Sequence, residues 1–241
     1  YLTASTVQDA GNILISARAT PKGEAFAAGV NAGTLAVGVS KATATLTPTV
    51  RASAGGTINA DNLTVIATEA VPASGYSAVA EAFGSTGGLI GVDVTDTSVG
   101  NNSTVSGFID NNTTLVVAGA TSIAAVSSTR QKANSQSIAF GLVGVGVTKS
   151  AASSNTTTTS YLGTGVDLTG GSLSVTARGS DDNYAEAGAA AGGVVGVASA
   201  APTTTTISNT TAEIRSSSAG RDIDLTGGSG VLRIGADHTA T

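Results

Sequence analysis

Cysteine, methionine and tryptophan are absent from this 241-residue chain, histidine occurs once, and aromatic residues make up only 3% of it. Without cysteine there are no disulfides and no thiolate metal sites, so backbone hydrogen bonds and packing must hold the fold. Without large apolar side chains the interior cannot be the wide Leu, Phe and Met core of a compact enzyme of this length, and must be narrow. Charge is sparse too: 11 Lys and Arg against 16 Asp and Glu give a net charge of −5. That balance offers no basic patch to hold phosphates, which argues against nucleic acid as a partner. No HExxH, GxSxG or P-loop is present, and the single histidine, His238, is the fourth residue from the end, where a solvated side chain is expected. Neither an EF-hand loop nor a GGxGxD nonapeptide occurs, so no metal and no cofactor is expected. The longest uncharged small-residue run, AGAAAGGVVGVASA at 187–200, is bounded by Glu186 and Pro202, short of the ~20 residues of a membrane helix. The chain opens on Tyr1 with no initiator Met or signal peptide, and reads as a segment of something longer.

What is present is Ala, Val, Thr and 32 glycines, with apolar residues at 41% and a mean hydropathy of +0.24. That hydropathy, with regular apolar alternation, argues against disorder. A short motif recurs as GNILISARA, DNLTVIATE, TSIAAVSST, GSLSVTARG and GVLRIGADH. Aligning the first apolar residue of each gives Ile13, Leu63, Ile123, Leu173 and Leu232, a repeat of about 55 residues. Repeats one and three share VGV, then Ser or Thr, then Lys, ending on Lys41 and Lys149. Repeats two and four share AEA, followed by GG and two branched aliphatics. Alternate repeats are therefore the closer relatives. DLTGGS, at Asp167 and Asp224, is expected to supply a Gly-Gly turn that restarts the cycle.

Leu173, Val175 and Ala177 alternate with Ser172, Ser174 and Thr176, the period of a strand, and Gly-Gly, paired Val and Thr runs disfavour helix. Units that cannot each close a core must stack, so the expected fold is all-β: a parallel β-solenoid of about four ~55-residue repeats with a thin Ala/Gly/Val-rich core. The chain is taken as one solenoid, 1–241, with repeats at approximately 11–60, 61–119, 120–171 and 172–229 and a partial one at 230–241. One wide coil per repeat is favoured, two smaller coils being the alternative. Ala42, Ala44, Leu46, Val50 and Ala52 share a parity that leaves Val37 and Val39 on the threonine side. A switch of faces is therefore expected near Lys41, and Pro48 sits awkwardly in a paired strand.

The segments GGLIGV, GLVGVGV and GGVVGV, the tracts NNSTV, NNTTL, SNTTTT and SNTT, and the join LTGGSLSVTA resemble the β-helical stalks of large bacterial surface proteins, the filamentous-haemagglutinin-like and autotransporter-type adhesins. The resemblance spans about Gly11 to Asp237. It implies a secreted, extracellular or cell-surface scaffold, bacterial in origin, that projects or polymerises without catalysis. Its partners would be further copies of itself, end to end or lateral, and surface glycans. A second class is an ice- or glycan-binding module whose face would comprise Thr43, Thr45, Thr47, Thr49, Thr157, Thr159, Thr203 and Thr205; cross-strand Thr pairing is the structural alternative. A third is a β-helical polysaccharide-degrading enzyme working through paired carboxylates. The pairs available are Asp93 with Asp96, which point to opposite faces of a strand, Asp181 with Asp182, expected in a turn, and Asp222 with Asp224.

Overall fold

The structure, a computed structural model, describes residues 2–215, 222–226 and 230–241. Its thirteen strands form one open sheet with every pairing parallel. They are β1 (Leu2–Ala19), β2 (Gly23–Leu46), β3 (Thr49–Glu69), β4 (Ala78–Asn101), β5 (Thr104–Ile109), β6 (Thr114–Phe140), β7 (Val143–Ser154), β8 (Thr157–Leu162), β9 (Asp167–Gly192), β10 (Val195–Thr206), β11 (Asn209–Ile214), β12 (Ile223–Asp224) and β13 (Val231–Ala240). Partners lie 50 to 59 residues apart, from Ile13↔Leu63 to Leu173↔Leu232, so the molecule is a parallel β-solenoid with one wide coil per repeat.

One turn shows the cross-section. β6 runs for 27 residues, roughly 90 Å of extended chain, and forms a long wall. The chain bends at Gly141 and Leu142 and returns along β7 and the six-residue β8. Corners near residues 110–113 and 163–166 need left-handed backbone, taken by Asn112 (φ 56°) and Gly165 (φ 69°). Between the walls lie two separate apolar cores. The wider, built from side chains such as Ile58, Leu63, Ile109, Leu115, Ile123 and Leu173, fills the end bounded by β5, β8 and the first half of β6 and β9. The other is nearly all alanine, including Ala42, Ala80, Ala82, Ala133 and Ala152. There the walls almost touch: Ser135 Oγ on β6 lies 2.7 Å from Ser150 Oγ on β7, and a Cβ added at Gly146 would sit 2.8 Å from the Ala190 carbonyl oxygen. Scarcity of aromatic residues is thus a steric requirement of this end.

Several sequence expectations are corrected. Thr121, not Ile123, stacks under Leu63, and Ile123 pairs with Val65, so the motif alignment slips by two residues. The slip arises because Thr121, buried, takes the inward place held by Leu63 and Leu173 in the turns on either side; a separate one-residue bulge sets three residues of β6 against two of β3 between Ala60 and Leu63, held by Asn62 Oδ1 accepting the Ala120 N–H at 2.8 Å. No face switch occurs at Lys41, because β2 stays in register with β4 from Leu35↔Ile90 to Leu46↔Asn101. Gly38 and Ser40 therefore point inward while Val37 and Val39 stand 59% and 71% exposed. Pro48 causes no conflict: it lies in the corner between β2 and β3, where its carbonyl accepts from Thr104 N. The DLTGGS at Asp167 is part of β9, and its glycines mark a bulge opposite Val117 to Ala120 rather than a turn. The second copy runs into residues 227–229, outside the described residues. Asp181 and Asp182 are in β9, not in a turn.

Candidate functional surfaces

The outward face of the return wall carries seven of the eight threonines picked out above, and Thr47 lies at its corner. Thr43, Thr45, Thr47, Thr49, Thr203 and Thr205 are exposed, and Thr157 and Thr159 half-buried. The register decides how they combine. Thr43 and Thr203 share a row but are separated by Ser98 and Ala151; Thr45 and Thr205 are separated by Gly100 and Ser153. Thr47 is in a corner. Thr49, Thr104 and Thr157 stack as an unbroken ladder of three threonines, and Thr159 stacks on Thr211 beneath Ser106. Beside it Phe108 and Tyr161 stack with centroids 4.7 Å apart, Arg51 lying over the first ring and Arg215 3.5 Å over the second.

On the same wall, nearer the bend, the outward face turns aliphatic over four stacked strands, β2, β4, β7 and β10. One row reads Leu35, Ile90, Val143, Val195. The next reads Val37, Val92, Val145, Val197. A third reads Val39, Val94, Val147, Ser199. On β2, β4 and β7 these side chains point outward because the inward positions between them face a wall too close for anything larger than Gly, Ser, Ala, Thr or one buried Asp, whereas the last rung, β10, is exposed on both faces. The row beyond is charged with alternating sign: Lys41, Asp96, Lys149, then Ala201, with Lys41 Nζ 3.5 Å from Asp96 Oδ2. The expected switch of faces at Lys41 would have put these valines inside; the unswitched parity, which leaves Val37 and Val39 on the side of Thr43 and Thr45, is the one the fold follows.

The carboxylates separate. Asp93 is inside and Asp96 outside, as their parity requires. Asp93 is 1% exposed, with no hydrogen-bond partner for either oxygen among the described residues. It occupies a notch left by two glycines: a Cβ at Gly84 would lie 2.7 Å from its Cγ, and one at Gly38 2.7 Å from Oδ1. Burial pushes its pKa above the usual carboxylate range. Asp181 is buried between the two apolar cores, accepting from Thr129 at 2.6 Å, from Thr156 at 3.0 Å and from Ser208, whereas Asp182 faces out to Arg130 at 2.7 Å. Glu69, fully buried nearby, accepts from Ser127 at 3.1 Å, and its pKa is raised chiefly by desolvation. His238, expected in solvent, is packed instead, with Nε2 3.5 Å from Asp181 Oδ2 and Nδ1 3.2 Å from Thr210 Oγ1. Counting inward from Leu173 by twos reaches Asp181, and from Leu232 reaches His238, so the strand period held the signal. Asp222 and Asp224 are exposed.

The surface depressions are shallow. One is lined by Gln136, Ile138, Gly188 and Ala190 with no carboxylate, another by Thr176, Arg178, Arg233 and Asp237. No helix among the described residues is long and apolar enough to cross a membrane. No group of three or more His, Cys, Asp or Glu among the described residues is placed to hold a metal ion. Comparison of the chain with protein-family models, with curated proteins and with solved structures finds no match.

Proposed function

We propose that this chain is a structural scaffold, a segment of a stiff extracellular stalk or filament of the bacterial adhesin type, whose units join end to end by continuing the parallel ladder. The observation that carries this reading is the state of the outermost strands. β2 pairs only with β4 and β10 only with β7 among the described residues, so both ends of the stack present unpaired backbone groups. The outer rungs also match each other in register and type: Leu35 with Val195, Val37 with Val197, Thr43 with Thr203, Thr45 with Thr205. A second copy placed under β10 would extend the aliphatic rows and set Lys41 beneath neutral Ala201 rather than beneath another lysine. Such a head-to-tail contact does not close, and open heterologous contacts build filaments.

The test is sedimentation velocity over a hundredfold range of concentration, with negative-stain electron microscopy of the most concentrated sample. A ladder of species lengthening with concentration, and long thin rods, are expected. A single monomeric species throughout, with its edge amides protected from hydrogen exchange, would refute the reading.

A further inference from the structure

We infer that the aliphatic face of β2, β4, β7 and β10 is a lateral docking surface for a second copy of this chain, packed face to face and antiparallel in stacking direction. The contact belongs to the scaffold reading and names its side-by-side partner. An aliphatic face has a cost in water: on the edge strand β2 Leu35 and Val39 are 67% and 71% exposed, on the inner strands Ile90 and Val147 are 41% and 37% exposed with Val92, Val94 and Val145 half-buried, and the neighbours along the rows are aliphatic rather than polar. Area and charge identify the occupant.

On a parallel sheet each outward side chain occupies about 32 Å², two residues along the strand by one strand spacing. The three aliphatic rows and the charged row, taken over four rungs, give a footprint of roughly 500 Å² per copy and about 1,000 Å² for the pair. That reaches the lower bound of a specific interface, and it would grow with every further turn of a longer stack.

The charged row selects the orientation. Two sheets pack face to face with strands nearly aligned. If the two-fold axis lies along the strands, between β4 and β7, each row meets itself in reverse order. Val92 then faces Val145 of the other copy, and Val37 faces Val197. In the charged row Asp96 faces Lys149 and Lys149 faces Asp96, while Lys41 faces Ala201, so two reciprocal ion pairs form and no like charges meet. An axis along the stack would instead carry the charged row away from its counterpart and leave Lys41 and Lys149 unpaired across the interface. A lipid surface would satisfy the valines but offers no use for a row of alternating sign.

The experiment is a charge exchange on the full chain, read by sedimentation equilibrium and light scattering. Asp96→Lys places lysine against lysine twice in the pair and Lys149→Asp places aspartate against aspartate twice, so each variant alone should dimerise at least about tenfold more weakly. An equimolar mixture restores both attractions and should dimerise as the parent does. Failure of the mixture to recover, with both variants folded by circular dichroism, would overturn the proposal. Val92→Lys should abolish the dimer; Val92→Thr, which keeps the β-branched shape and the fold, should weaken it, and unchanged dimerisation in both would also overturn it. Flotation with neutral phosphatidylcholine vesicles that binds the parent, is lost in Val92→Lys and is accompanied by no dimer would assign the face to lipid instead. Lateral pairing closes at two whereas end-to-end stacking does not, so loss of the dimer with persistence of the long series leaves the filament reading standing, and the reverse result leaves the lateral face standing.

Discussion

Gly107 of β5 offers the sharpest test of how closely the walls approach. Its missing side chain faces the long wall, where an added Cβ would lie 2.9 Å from the Ala124 carbonyl carbon and nearer still to its oxygen. The obstacle is backbone, so no rotamer change relieves it and β5 or β6 must move. Overpacking of this kind costs about 1–3 kcal/mol. Replacing glycine by alanine also restricts the unfolded chain, returning about 0.4–1 kcal/mol. Gly107→Ala should therefore destabilise by about 1–2 kcal/mol net, which at a urea m-value of about 2–3 kcal/mol/M lowers the unfolding midpoint by about 0.3–1 M. Gly87→Ala is the control, since a Cβ there meets nothing within 4 Å and its backbone is ordinary; it should be neutral or mildly stabilising. Urea titration followed by circular dichroism measures both, and hydrogen exchange at Phe108 and Ile109 localises the effect. A Gly107→Ala midpoint equal to or above that of Gly87→Ala would refute the close approach of β5 to the long wall.

Two further outcomes follow from the interior and from the open edge. Asp93 is held above its ordinary pKa of 3.8 by burial, so the folded state binds more protons than the unfolded one between that value and the raised one. Stability should accordingly fall as pH rises through that interval, and Asp93→Asn should flatten the fall and raise stability at pH 7, as read by urea unfolding from pH 3 to 7; an unchanged profile would show the carboxylate to be solvated. On β10, Val195 N donates to Leu142 O, and just past its end Ile207 N donates to Ser154 O, so odd-numbered residues point at the neighbouring rung and Pro202 occupies a position facing the open edge. Proline there blunts the edge by one donor, and Pro202→Ala should shift end-to-end association to lower concentration in sedimentation velocity, with no change in the lateral dimer.

The coil itself was legible in the sequence because stacked turns must repeat their inward residues at fixed separation. The AEA of Ala80 and the AEA of Ala185 fall in one column through Ala133, and the glycines of the GV motifs, Gly91, Gly144 and Gly196, fall in another. What could not be read was which parity faces in along β2. The rule that aliphatic residues are buried runs in one direction only, since much of any protein surface is apolar, and here the tightness of the space reversed it. Gly38 is inside because the Asp93 carboxylate fills the room its side chain would take, and Val37 is outside because nothing of its size fits. The slip at Thr121 was hidden for a different reason: a threonine takes the inward place that Leu63 and Leu173 hold in the neighbouring turns, so the first aliphatic residue of the motif, Ile123, comes two positions late.

The same register explains why repeats one and three share a lysine that repeat two lacks. In a parallel in-register stack every residue sits about 4.8 Å above its counterpart. Identical charges at that spacing would repel by about 1 kcal/mol per contact even in water. Lys41 and Lys149 avoid this because Asp96 lies between them, which doubles their separation to nearly a Debye length and converts two repulsions into two attractions. A charged row is therefore favoured when its sign alternates or a neutral residue intervenes, as Asp96 does between the two lysines and Ala201 does beyond them. The aliphatic rows beside it carry no such constraint and repeat every turn. A face of uniform apolar rows edged by one row of alternating sign has a fixed register for a partner as well as an adhesive surface, because sliding the partner by one rung leaves the valines matched and sets lysine against lysine.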